Sequence, residues 1–488
     1  MDSFRRFSKD GHLNRERPIL TPESRGGWGM AHQSTCRVLR PETVTELQRF
    51  LKDAAYAEEP VSCWGNGRSY GDAALNQNGI IIDLSGWDSV LAWVPEEGIV
   101  TVEPGVTISQ LWKHCLSDGY WPPVVSGTQT TTLGGCVSAN AHGKNNWKHG
   151  PIGEHVCGLE IVLADGSLVD ASPSQRPDLF HAVIGGFGFL GVITKIKLRM
   201  KRIYSGNLEV SATSCSHLEE MFQGFEVYNR EEYDYVVGWI DAFPRGAAQG
   251  RGQIHAANYF KDGEDPAGVA LLSAESQTPS TRAFGVIPRG WMWFFAKPWA
   301  NRLGMRSINL GRFLWAKWFG TRAKHHQPHA QFNFLLDFIP NWKKIYEPGG
   351  LIQYQVFLPK ENAQDAFQSM LSAQQARRLE SWLVVMKRHR CDAFWLSHAL
   401  DGYSFAMDFP VTERNRKSLF ALTQELESLV LNAGGRFYLA KDAVLSSAAF
   451  RKSLGEDTIE QFLALKRTVD PTFRFQGNAF RRVFGVRQ

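Results

Sequence analysis

Seven cysteines are scattered through 488 residues, at Cys36, Cys63, Cys115, Cys136, Cys157, Cys215 and Cys391, and no two have Cys-x-x-Cys spacing. An odd, unpatterned set excludes a disulfide framework and a zinc site, and no metal is expected. No apolar run is long enough to span a bilayer. The polar leader Met1 to Asp10 has no apolar h-region, so a cytoplasmic location is expected. A net charge of +5 is too small to imply a nucleic-acid partner. Internal repeats and low-complexity tracts are also missing. What remains is a globular chain, 43% hydrophobic, long enough for two or three domains.

Glycine and threonine are not scarce, and they concentrate. From Gly127 to Asn145 small residues and hydroxyls crowd together, with Thr128, Thr130, Thr131 and Thr132 ahead of Gly134 and Gly135, and His142, Gly143 and Lys144 at the exit. Glycines let a backbone approach a ligand closely, and successive N–H groups in such a loop form an anion-binding concavity. That chemistry suits a pyrophosphate; a glycine-rich surface loop is the plainer alternative. A second such loop, Gly65 to Asp72, offers Gly67, Arg68, Ser69 and Tyr70 after the strand-like Val61–Trp64. A third, Gly185 to Gly191, satisfies G-x-G-x-x-G through Gly186, Gly188 and Gly191, yet it follows a helix pattern and leads into an alternating strand over 192–200. The dinucleotide fingerprint needs the opposite order, so a Rossmann unit is not predicted.

The remaining pattern is α+β. Helices are expected over 41–51, 107–116, 178–184 and from Thr412 to Val430, strands at 80–83, 99–103, 235–240, 351–357, 382–387 and 403–409, and a hairpin around Asp165-Gly166. Residues 261–282 read as a loop, and the tail beyond Asp442 as helical, then irregular. A domain boundary is placed near 201, giving 1–200, 201–433 and a returning segment 434–488. Alternation puts Gln353 and Gln355 on one face of their strand, where they either meet a ligand or bond across the sheet. Between 291 and 326 aromatics alternate with Lys and Arg, ahead of Arg322, Lys324, His325 and His326. Such a segment either lies on an anionic membrane surface or packs beneath its own domain, with a nucleic-acid stacking platform a poorer third.

Taken in order, the three glycine loops resemble the FAD-binding fold shared by vanillyl-alcohol oxidase and p-cresol methylhydroxylase. Gly67-Arg-Ser-Tyr-Gly-Asp72, His142-Gly-Lys-Asn145, Ile352-Gln-Tyr-Gln355, Met407-Asp-Phe-Pro410 and Ala440-Lys-Asp442 are similar to the decaprenylphosphoryl-β-D-ribose 2′-oxidase family, from about residue 40 to the end. The resemblance implies a two-subdomain FAD-binding domain plus a substrate domain built on a mainly antiparallel sheet with helices. It implies FAD held by Gly65, Gly67, Arg68, Ser69, Tyr70, Gly127, Thr128, Thr132, Gly135, Ser138, His142 and Gly143, with Ile193 and Tyr438 completing the pocket. The substrate side maps onto Lys144, Gln353, Gln355, Lys387 and Lys441; Lys441 is the first candidate for the base and His142 its rival, and solvated surface lysines are the alternative.

Three positions depart from the mycobacterial members. Ala406 replaces a cysteine, so inhibitors aimed at that thiol are expected to fail; Ser404 replaces Asn and His389 replaces Phe. Arg68 stands where related oxidases often carry a flavin-linked histidine, and a guanidinium cannot form that bond, so FAD is expected to be non-covalent. The implied reaction is oxidation of the 2′-hydroxyl of a polyprenylphosphoryl pentose, with a short-chain reductase acting on the keto product. A soluble sugar, alditol or aldonolactone oxidase and a non-redox nucleotide-binding interaction protein are the alternatives.

Overall fold

The computed structural model describes residues 19–485 apart from 281, 284–286, 320–323 and 442, so the polar leader, Arg322 and Asp442 lie outside the described residues. The N-terminal part holds two sheets. The first runs in the order Thr21–Gly26, Gln33–Leu39, Ile80–Asp83, Val61–Trp64, with its last three strands parallel. Its Ile80 and Ile82 pack with Leu47, Phe50 and Leu51 of the helix Val44–Lys52. The second sheet is antiparallel, in the order Val90–Val94, Ile99–Val102, Val192–Arg199, Val156–Val162, Leu168–Ala171. The strand following Gly185–Gly191 is thus central to an antiparallel sheet, as the non-Rossmann reading requires.

The third sheet has eight strands, all antiparallel: His325–Pro328, Asn207–Cys215, Gly252–Tyr259, Tyr235–Ile240, Leu383–His389, Gly402–Pro410, Leu351–Pro359, Arg436–Phe437. Its period-two alternation separates core from site. In Gly402–Pro410, Tyr403 and Phe405 turn to the helices Leu218–Arg230 and Ala363–Ala376, where Phe405 stacks on Phe367 with centroids 3.8 Å apart and Tyr403 meets Phe222 edge-on. Ser404 and Asp408 point the other way, to partners on His389 and Gln353. The helices bury one face of the sheet and leave the other to polar chemistry.

Local chemistry shifts several expected boundaries. The helix expected from Pro41 begins at Val44, because the Thr43 hydroxyl accepts from the Glu46 N–H and sets the N-terminus. Thr412 does not cap its helix: Thr412 and Asn415 bond each other's backbone N–H in a preceding turn, and the helix starts at Arg416. The 261–282 stretch contains two single-turn helices, Pro266–Val269 and Ala274–Gln277, capped by Asp265 and Ser273. The tail ends in a helix, Asn478–Phe484, rather than an irregular segment; its Phe480 packs on Phe189.

That tail is pinned by Lys466, fully buried in the helix Glu456–Val469, whose amine donates to Asp470 and to the carbonyls of Phe189 and Phe475. Removing one partner of a buried pair strands the other charge, at about 3–5 kcal/mol. Lys466→Ala is therefore expected to lose roughly that much stability in urea titration of the flavin-free protein; a change within about 0.5 kcal/mol would show the pin to be dispensable.

Candidate active site

Four chain segments distant in sequence line one cleft: 63–69, 126–141, 187–193 and 438–441. The first two interlock. A Cβ on Gly65 would sit 2.3 Å from the Thr132 hydroxyl, and Gly67, at φ +59°, would drive one into the Trp64 ring. Arg68 Nε donates to Thr130 Oγ1 at 2.8 Å and Asn66 to the Thr130 carbonyl at 3.0 Å. Backbone bonds clamp the far end of the first loop: Trp28 N–H to Ser69, Gly29 N–H to Tyr70, and Tyr70 N–H to Ala440 at 2.9 Å.

Between these clamps the backbone N–H groups of Gly65, Asn66, Gly67, Arg68 and Ser69 have no acceptor among the described residues. Five successive unpaired donors on the wall of a glycine-lined cleft are the concavity a diphosphate fills, and FAD fits this site. Of the expected cofactor residues, Gly65, Gly67, Arg68, Ser69, Thr132, Gly135, Ser138, Ile193 and Tyr438 line the cleft, whereas Tyr70, Gly127, Thr128, His142 and Gly143 do not. Cys63 and Cys136 also line it, their thiols pushed up to about 12 and about 11 by burial.

Lys441 closes one side, its amine 4.1 Å from the centroid of the buried Tyr70 ring. Burial and then the neighbouring Lys387 charge pull its pKa down to about 7, against the opposing pull of Asp408. Asp408 is buried, pushed up to about 6, and accepts from Gln353 Nε2 at 2.6 Å. Lys387, drawn down to about 8 by burial, stands 3.5 Å from His142 Nδ1, and the Gln355 amide lies 2.9 Å from His142 Nε2. Burial and then Lys387 hold His142 well below the usual histidine range, so the ring is neutral. The Gln355 atom that faces the ring is Nε2, an N–H donor, so His142 Nε2 accepts from it.

Four of the five expected substrate-side residues thus meet: Gln353, Gln355, Lys387 and Lys441 join through Asp408 and His142. Lys144 feels the Lys387 charge, but its amine is engaged on another segment. It is buried, donates to the Phe332 carbonyl and lies 4.5 Å from the Phe332 ring centroid, outside the cleft lining. The two departures at 389 and 404 prove to be one feature: His389 Nε2 lies 2.7 Å from Ser404 Oγ, and the His389 ring is 4.9 Å from that of His142. Ala406 stands opposite Gln355 on the neighbouring strand.

Sequence reasoning missed Asp337, Asp408 and His398. His398 packs at 4.2 Å from Tyr438, and only the tertiary fold brings it there. Asp337 accepts from Thr128 Oγ1 at 2.7 Å and from the Gln129 N–H at 2.8 Å, tying the second loop to the short helix Leu335–Asp337.

A family model for an FAD binding domain matches residues 36–172. The chain carries an FAD-binding domain and is an FAD-dependent oxidoreductase. In particular, it is similar to the decaprenylphosphoryl-beta-D-ribose oxidase of Mycolicibacterium smegmatis, at 28% identity over 94% of this chain and 96% of that protein. A putative D-arabinono-1,4-lactone oxidase of Neurospora crassa is 29% identical over 58% of this chain and 47% of its own. A probable mitochondrial D-lactate dehydrogenase of Danio rerio is 33% identical over 33% of this chain and 34% of its own.

Asp337→Ala leaves Thr128 and Gln129 without their acceptor, and a charge-assisted bond is worth about 1.5–3 kcal/mol. FAD affinity measured by flavin fluorescence is expected to fall at least about tenfold; unchanged affinity would show that the second loop holds its shape without this carboxylate.

Proposed function

We propose that the protein oxidises the 2′-hydroxyl of a polyprenylphosphoryl pentose to the ketone, with Lys441 as the base. The observation that carries the reading is an amine poised at about 7 on the wall of the FAD cleft, joined to a buried set of two amides, a second lysine and a neutral histidine. Similarity over almost the whole chain to an oxidase of a polyprenylphosphoryl ribose supports the substrate class.

When bound, FAD accepts a hydride from the carbinol carbon. Lys441, neutral in a substantial fraction near pH 7, takes the hydroxyl proton. Gln353 is held by Asp408 and Gln355 by His142, so both amides have fixed orientations from which to hold the sugar. His142 has both ring nitrogens engaged, by Lys387 and Gln355, and we assign it a positioning role. The cleft donors at Gly65 to Ser69 take the diphosphate, and Arg68 excludes the histidyl linkage, so the cofactor is dissociable. Because this reading makes the substrate a lipid, it also implies a bilayer contact, for which 291–326 is the candidate, and a short-chain reductase that consumes the ketone.

Two outcomes test the chemistry. Lys441→Met is expected to retain its flavin spectrum and lose about 10²–10⁴-fold in kcat. In the unaltered enzyme kcat/KM should rise as pH passes upward through about 7, because the base acts deprotonated; a profile that falls there would assign Lys441 as an acid. Anaerobic bleaching of the flavin by a detergent-dispersed polyprenylphosphoryl ribose, but not by free ribose, is expected. Equal bleaching by free sugars would favour the soluble sugar-oxidase reading, and no bleaching by any would refute the function.

Acid precipitation should leave the yellow colour in the supernatant. A yellow pellet would contradict non-covalent FAD.

A further inference from the structure

The segment between the Gly252–Tyr259 strand and Asp337 carries an unusual surface. Trp291, Phe294, Phe295, Trp315, Trp318 and Phe319 are 56–70% exposed, a level at which single apolar side chains are common but six aromatic rings in one segment are not. In the helix Arg302–Phe319 the buried residues Asn309, Phe313 and Ala316 share one face. Helical periodicity puts Ile308, Trp315 and Trp318 on the opposite face, with Arg306 and Lys317 along one flank and Arg312 along the other. From Ser276 to Leu336 the chain has nine Lys or Arg and no Asp or Glu.

We propose that this face docks on an anionic lipid bilayer, with the rings at the headgroup level and the flanking cations on lipid phosphates. The inference rests on the lipid-borne substrate reading and names the surface and lipid charge that would present it. Charge decides the occupant. Lys297, Arg302 and Lys324 pair with Glu347, Glu380 and Glu209 from outside the segment, and the segment keeps an excess of cations. A second copy would set that positive face against its like, which opposes self-association, whereas an anionic bilayer supplies both the apolar depth and the countercharge. The helix that carries the face also packs toward the glycine loops: its Met305 lies with Leu336 against the cluster of Trp28 and Tyr70, and the Leu336 N–H bonds the Gly127 carbonyl at 3.2 Å. Docking therefore brings the FAD loops to the lipid surface, where a headgroup-borne sugar lies.

The test is co-sedimentation of the full-length, FAD-loaded enzyme with vesicles of phosphatidylcholine alone or in equal parts with phosphatidylglycerol. Binding is expected on the anionic vesicles, and much weaker binding on the neutral ones. Trp315→Ala/Trp318→Ala should weaken it about a hundredfold, and Arg306→Gln and Lys317→Gln about fivefold each, with flavin absorbance and Tm unchanged. Tryptophan quenching by lipids brominated on the acyl chain provides a second readout in the unaltered enzyme and is expected to be strong. Equal binding to both vesicles, no binding, variants that bind normally, or dimerisation abolished by Trp315→Ala would each overturn the proposal. Bleaching by detergent-dispersed lipid substrate does not depend on vesicles: intact bleaching without vesicle binding refutes the docking face alone, and vesicle binding without bleaching refutes the function alone.

Discussion

The hydrogen bond from the Tyr70 N–H to the Ala440 carbonyl joins two segments far apart in the chain at the edge of the cleft. It fixes the end of the Gly65–Ser69 loop, whose N–H groups have no acceptor among the described residues and whose residues line the cleft. It also holds Lys441, the next residue, over the Tyr70 ring. The Asp337 latch does the same for the second loop. A site assembled this way depends on tertiary closure, because its segments are distant in sequence and each contributes largely through loop residues.

The second constraint is electrostatic. Lys387 and Lys441 share a buried region in which Asp408 is the carboxylate nearest to Lys441. Desolvation works against each charge, and each cation works against the next, so the amines and imidazoles are held toward their neutral forms. A lysine with a base's pKa therefore follows from packing several cations behind a sheet, without a special partner for each. The neutral His142 is a product of the same field, and it fixes the Gln355 amide. The His389–Ser404 pair adds a polar wall next to His142, a local difference that bears on which sugar fits.

The glycine loops were legible because glycine at Gly65 and Gly67 answers a steric demand that leaves a sequence signature. Strand alternation likewise set Gln353 and Gln355 on one face, and the order helix, glycine loop, strand excluded a Rossmann unit at Gly185 to Gly191. Asp337 and Asp408 left no comparable mark: a single carboxylate in a loop or strand looks the same whether it latches a distant loop or faces water. The contact that Lys144 makes left no mark either, for the converse reason. The residue follows His142 in a shared motif, but its amine is taken by the Phe332 carbonyl, a contact between segments that no spacing encodes. Helix starts slipped at Thr43 and Thr412, where hydroxyl geometry rather than residue type decides which turn is capped.

The central claim is that separate backbone turns converge on one FAD with Lys441 at its reacting edge. A crystal structure of the FAD-loaded enzyme tests it most directly. The account predicts diphosphate oxygens within hydrogen-bond distance of the N–H groups of Gly65 to Ser69, and the Lys441 amine facing the isoalloxazine from the Tyr70 side. A diphosphate bound elsewhere, or a Lys441 amine turned away from the ring system, would contradict it.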